Sequence, residues 1–393
     1  MTQLNNPSMS YAELTLPLPY PKELWFARTA EEFKIRYLQS GVADGNRLPC
    51  LGDLFRDINI LAANHHRLDT QLAISIYLHG FWSLVWEYRQ LASIHAPSPT
   101  SPNHASNMAM LLTTRHADLV AQLKTFRLLT HDQHHPHQQP KPPTTPLALS
   151  TQESLLLHLL FLNLHAALPD LQLFSGKEGE DRARRAYPAL QRWAASAESR
   201  VALWHAAQVF RIGRLFPRGH LKDFWSVAVC HAGLCIWAWG VVSAAGRRGA
   251  TGGAAGVGMG MQGQHHAPHQ AQQHQHQQMG GQHQHQGQVV YLDGEETPAV
   301  QAWVGYGQGR PAIRGFDTTP TPTSASASGG GQGSGRGVMV DCAVENPRAC
   351  MEVAQELLRA NFVGVWESLP PLSENIIVVL KQLEKAAWAV GMG

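Results

Sequence analysis

Apolar side chains recur along this chain at intervals of three and four, the spacing that puts residues on one face of an α-helix. The longest stripe begins at Leu72 and continues through Ala73, Ile76, Tyr77, Gly80, Phe81, Leu84, Val85, Tyr88 and Leu91. It predicts a long helix, with Asp69 placed before it to accept from its free N–H groups. Residues 151–168 open with Thr151, Glu153 and Ser154 and then run LLLHLLFLNLHAAL, a helix apolar on all sides and therefore buried. Val201, Trp204, Val209, Ile212 and Phe216 predict a helix over 199–216, which Pro217 ends. Asn346 followed by Pro347 reads as a cap and a first helical residue, with helix to about Phe362. The last helix is placed near Ser373 and carries Ile376, Ile377, Leu380, Leu383 and Trp388. Alternating patterns are almost absent, and VVYLDG at 289–294 is the only fair strand. The predicted fold class is all-α.

Polar, low-complexity stretches interrupt the helical pattern and set the expected organisation. Residues 11–130 form a first helical part, with a Pro/Ser turn region at 95–107, and 131–150 a Pro/His-rich linker. Residues 151–243 form a central helical part, and 244–288 a Gly-rich and then Gln/His-rich insert. Residues 289–393 form a C-terminal helical part broken by 317–337. The tracts 131–150, 244–288 and 317–337 lack apolar surface to offset the entropy of ordering, so they are expected to be disordered.

Composition then narrows the chemistry. Lys+Arg is 31 and Asp+Glu is 29, a balance that argues against a strongly basic duplex binder. Of the 22 histidines, four fall within 131–137 and seven within 265–285, in tracts too flexible to fix a metal geometry. Five cysteines (Cys50, Cys230, Cys235, Cys342 and Cys350) with no CxxC pair argue against a disulfide scaffold and point to a reducing compartment. The N-terminal residues show no basic and apolar leader pattern. Phe224 to Ala245 is an uncharged 22-residue run, long enough to span a bilayer, with Arg247 and Arg248 behind it. It also contains His231, serines and small residues and sits between less apolar helices, so it reads as a buried core helix. The alternative is a helical membrane-associated protein anchored through 224–245.

No motif carries catalysis. Gly258, Gly260 and Gly263 match GxGxxG in form, but neither the preceding strand nor the following helix of a dinucleotide site is there. His65, His66, Arg67 and Asp69 cluster before the long helix, and His79 lies within it; they read as a helix start and a hydrogen-bonded core histidine rather than acid–base apparatus. His158, His165, His205 and His231 sit on apolar helices as satisfied imidazoles. Arg182, Arg184 and Arg185 stand beside Glu180 and Asp181 and read as a solvated helix start. Trp82, Trp86 and Tyr88 follow helical spacing and read as core. No residue is assigned a catalytic, cofactor-binding or metal-ligating role, and the chain is not expected to be an enzyme.

Several segments resemble one family. They are LTLPLPYPKELW at Leu14–Trp25 followed by Ala30-Glu31-Glu32-Phe33, the run from Arg67 to Leu91, and WHAAQVFRIGRLFPRGHLKDFWSVAVCHAGLCIWAWG from Trp204 to Gly240. Tyr291–Ile313 and Pro347–Gly391 follow in the same order. Together they are similar to the fungal-specific transcription factor domain found downstream of two-Cys two-His zinc fingers. The resemblance implies an all-α regulatory domain of a nuclear RNA polymerase II transcription factor, with no catalytic residues and a long apolar core helix. It implies partners in the transcription machinery or among regulatory proteins, a homodimer as a further candidate, and no membrane. The scattered cysteines cannot build a zinc finger or binuclear zinc cluster, so no zinc ligand is expected here and DNA would be reached only through a missing N-terminal module. The chain therefore looks like an N-terminally truncated member of the family.

Overall fold

A computed structural model describes residues 14–40, 47–95, 106–130, 147–254, 287–315, 341–364 and 368–389. The chain divides into two units, Met1–Leu164 and His165–Gly393. The all-α class holds, with one small sheet added.

In the first unit the short helices α1 (Lys22–Trp25), α2 (Ala30–Gln39), α3 (Leu51–Arg56) and α4 (Asn59–Ala63) precede α5 (Thr70–Ile94), α6 (Ser106–Thr130) and α7 (Thr151–His165). Asp69 caps α5 as its position predicts, Oδ1 accepting from Leu72 N at 3.0 Å. The buried face of α5 is Ala73, Ile74, Tyr77, Leu78, Phe81, Leu84 and Val85, while Leu72 and Leu91 of the predicted stripe are exposed. Aromatic packing sets that rotation. The Tyr77 and Phe81 rings lie 5.7 and 6.3 Å from Phe55, and Tyr77 lies 4.9 Å from Phe126. Gly80 lets α3 approach, because a Cβ there would stand 2.6 Å from Leu51 Cδ2.

Two boundaries shift in this unit. Leu147 is buried, and Ser150 and Glu153 cap α7 reciprocally, Ser150 N donating to Glu153 Oε2 at 2.9 Å and Glu153 N to Ser150 Oγ at 3.3 Å. Residues 147–150, expected in the 131–150 linker, are thus part of the packed fold; 131–146 lie outside the described residues. Likewise α6 begins at Ser106, inside the expected 95–107 turn region.

The second unit is built around α11 (Phe224–Ala254). Before it come α8 (Leu168–Phe174), α9 (Glu180–Ala194) and α10 (Ala197–Gly213), and after it α12 (Pro298–Tyr306), α13 (Pro347–Phe362) and α14 (Pro371–Ala389). Helices α8, α9, α10, α13 and α14 all pack on α11. The approach of α13 depends on Gly240, where a Cβ would meet Pro347 Cβ at 3.1 Å and Val344 O at 3.3 Å. The helix continues beyond the expected end at 243, because Ala244, Ala245, Arg247 and Arg248 are strong helix formers and Arg247 reaches Glu345 at 3.7 Å. The first part of the 244–288 insert is therefore helical; 255–286 and 317–337 lie outside the described residues.

The expected strand forms as β1 (Val289–Tyr291), joined by β2 (Arg310–Arg314) and β3 (Asp341–Ala343) in the order β1-β2-β3. β1 and β2 are parallel, with α12 as the crossover, and β3 pairs antiparallel to β2 with Ile313 opposite Cys342. The turn from α12 into β2 needs two glycines in the left-handed region, Gly307 at φ +72° and Gly309 at φ +98°. A Cβ on Gly309 would lie 2.6 Å from Val290 Cγ2 and 3.0 Å from Gln288 O. Val290 is branched and paired in β1, and the Gln288 carbonyl is held by Arg310 N at 2.9 Å, so neither can swing away. Gly309→Ala is expected to lower stability by about 2 kcal/mol, read as an earlier urea-unfolding midpoint.

Candidate functional site

The most elaborate polar arrangement in the second unit is a seam along α10. Its side chains hold the strand–turn–helix segment 289–306. Gln208 Nε2 donates to Leu292 O at 2.7 Å and Gly294 O at 2.8 Å, and Arg211 Nη1 donates to Gly294 O at 3.2 Å. Arg200 donates from Nε to Val304 O and from Nη2 to Gly305 O, both at 2.9 Å. These carbonyls close the last turn of α12, where a cation is favoured. Just past α10, Arg214 Nη1 meets Asp293 Oδ2 at 2.6 Å, with the side chains 15% and 0% exposed. Arg314 N donates to the same carboxylate oxygen at 2.9 Å, and Arg214 Nη2 donates to Arg314 O. Asp293 Oδ1 is buried with no hydrogen-bond partner among the described residues.

Chemically this seam is a clamp. A carboxylate that meets a guanidinium and a backbone N–H joins the end of α10 to the segment after β1 and to β2. Its members had not been singled out from the sequence as a group. Arg214 and Asp293 are 79 residues apart, and the available signal was only that both fall within segments of the family resemblance.

The residues that the sequence did single out have local roles. Asp69 is held in the α5 cap, and Arg67 Nη1 donates to Asn64 Oδ1 at 3.3 Å. His65 Nδ1 lies 2.8 Å from Ala62 O, with its ring edge-on to His66. His79 Nδ1 lies 2.8 Å from Ser75 O, and this histidine is exposed rather than core. In the second unit His165 Nδ1 pairs with Glu198 and its ring stacks on His205 at 6.3 Å. Arg184 pairs with Glu180 at 2.6 Å and Arg182 with Glu178 at 4.0 Å, so the short basic cluster is locally neutralised. Trp82, Trp86 and Tyr88 are half-buried on α5, and Arg89 lies over the Tyr88 ring at 5.4 Å. The GxGxxG match at Gly258, Gly260 and Gly263 and the histidine tracts at 131–137 and 265–285 lie outside the described residues.

Among the described residues one helix, Phe224–Arg248, has the length and apolarity to cross a membrane, and 78% of its most apolar window is buried within the fold. Two of its indoles find protein partners: Trp237 Nε1 donates to Leu383 O at 2.8 Å and Trp239 Nε1 to Ala194 O at 3.2 Å. Burial lowers the His231 imidazole to about 4 and pushes the Cys230 thiol up to about 11.

Comparison with known proteins finds distant relatives with one kind of name. The chain is 27% identical over 254 residues to a protein of Zymoseptoria tritici named as a transcription factor, covering 59% of this chain and 25% of that protein. It is 23% identical over 239 residues to transcription factor PfmaH of Pestalotiopsis fici, covering 59% of this chain and 24% of that protein. The chain thus spans about a quarter of the length of these curated relatives. No family model matches, and no solved structure matches.

Proposed function

We propose that this chain is the regulatory region of a fungal RNA polymerase II transcription factor, a member of the fungal-specific transcription factor domain family, and that it acts in the nucleus through protein contacts. The observation that carries the reading is the alignment over 59% of the chain to two fungal proteins named as transcription factors. The fold supports it: the resembling segments 204–240 and 291–313 pack together through Gln208, Arg211 and the Arg214–Asp293 pair. The reading calls on no catalytic group and on no cofactor or metal held by these residues. DNA contact is assigned to none of these residues. Transcription machinery or regulatory proteins are the partners, with a second copy of the chain as another. The burial of α11 supports its role as a core helix rather than a membrane anchor.

The test is a reporter assay with the chain fused to a heterologous DNA-binding domain. Expression from the reporter is expected to change, and the change is expected to disappear in Asp293→Ala, which opens the clamp. An unaltered reporter, together with a fusion that stays in the membrane pellet on carbonate extraction, would overturn the reading in favour of the anchored alternative.

A further inference from the structure

Two thiols meet where the small sheet joins the helices. Cys342 lies in β3 and Cys350 in the first turns of α13, and their Sγ atoms are 3.5 Å apart. Both are free thiols, 6% and 0% exposed. The chain reverses between them. Val344 N donates to Pro311 O at 3.0 Å and Asn346 Oδ1 accepts from Ala349 N at 3.1 Å, which closes the strand and opens the helix within three residues. The Ala343 carbonyl faces both sulfurs, at 3.9 Å from Cys342 and 3.6 Å from Cys350. The same turn touches Gly240 of α11 through Val344 O and Pro347, so it couples the sheet to the central helix.

We propose that Cys342 and Cys350 form a modification site, a dithiol that hydroperoxides oxidise to a reversible disulfide. A disulfide needs its sulfurs at about 2.05 Å, and the two thiols start close enough for side-chain rotation to deliver most of the approach. In the first step one thiolate attacks the peroxide oxygen. An S–O bond forms, the O–O bond breaks, and the alcohol or water leaves with the thiol's proton. In the second step the other thiol attacks the sulfenic sulfur, the S–S bond forms, the S–O bond breaks, and water leaves. Two thiols give up two protons and two electrons, and one hydroperoxide is reduced to an alcohol and water, or to two waters when it is hydrogen peroxide. The hydrogen bond with Cys342 and then burial hold the Cys350 thiol well above its ordinary range, so the closed form reacts slowly. Reaction runs through opening of β3, a three-residue strand at the edge of the sheet. Once made, the bond ties that edge strand to α13.

The experiment treats the folded full chain with hydrogen peroxide, alkylates the remaining thiols and maps the peptides by mass spectrometry. The expected product is a 342–350 crosslink that has lost two hydrogen masses and that dithiothreitol reverses. The peroxide-treated wild type is expected to melt higher than the reduced protein, and Cys342→Ser and Cys350→Ser are expected to show neither change. Sulfinic acid at either cysteine without a crosslink would overturn the proposal. So would a crosslink that forms only in urea, or one that joins either residue to Cys230 or Cys235. The wild-type peptide map decides the matter even if a serine variant fails to fold.

Discussion

Asp293→Ala is expected to destabilise the second unit by about 3–5 kcal/mol, because it leaves the Arg214 guanidinium facing a cavity in place of a carboxylate. The pair is largely out of water, and Arg314 N loses its acceptor at the same time. Removing one partner of a buried pair is far more damaging than replacing both. Asp293→Leu combined with Arg214→Met is therefore expected to recover much of the loss. Urea unfolding followed by tryptophan fluorescence would measure both variants. Equal losses in the single and double variants would mean that the clamp acts through its backbone hydrogen bonds rather than its charges.

The second large effect is expected on acidification. His231 titrates near 4 in the folded protein and near 6.5 when unfolded, because burial on α11 disfavours the imidazolium. Between those values the unfolded chain binds the proton and the folded chain does not. Folding stability from this group is therefore full above pH 6.5 and declines as pH falls towards 4. The whole window is worth about 3 kcal/mol, with roughly 2 kcal/mol gone by pH 5. Asp53 does not blur the measurement. Hydrogen bonds from the Cys50 backbone and thiol, with help from Arg47, hold it down to about 2, so its contribution is lost only below the ordinary carboxylate range. Unfolding free energies at pH 8 and pH 5 should differ strongly in the wild type and much less in His231→Leu. An unchanged difference in that variant would assign the acid sensitivity to other groups.

The helices were legible because their signals are local. Asn346 and Pro347 fix the start of α13, and the structure ends that helix at Phe362, where the pattern placed it. Asp69 caps α5 for the same reason. The sheet was half legible. β1 shows a Val-Val-Tyr run, but β3 has three residues, and the central strand β2 carries Pro311, which donates nothing to a ladder. β2 holds its place through Arg314 N on Asp293 and through Val344 N on Pro311 O, contacts that no short window of sequence contains. The clamp was illegible for the same physical reason: Gln208, Arg214 and Asp293 become neighbours only when α11 and its surroundings have packed. On α5 the period and most of the phase were legible: Ala73, Tyr77, Phe81, Leu84 and Val85 of the stripe are buried, Tyr77 and Phe81 against Phe55 and Tyr77 against Phe126, while Leu72 and Leu91 at its ends stand in water.

The position of α11 in the sequence also has a consequence for synthesis. Helices α8 to α10 leave the ribosome before it, but α13 and α14, which cover its remaining flank, are completed about 140 residues later. At about 5–20 residues per second that interval is roughly 7–28 s. For that time the growing chain displays a helix of membrane-spanning length, uncharged over 224–245, with part of its surface uncovered. Transiently uncovered apolar surface of this kind is what makes growing chains prone to aggregate. The length of chain between α11 and α13 sets that interval. Lengthening it leaves the finished fold almost as stable, since loop closure grows only logarithmically, but it prolongs the nascent helix's exposure in direct proportion.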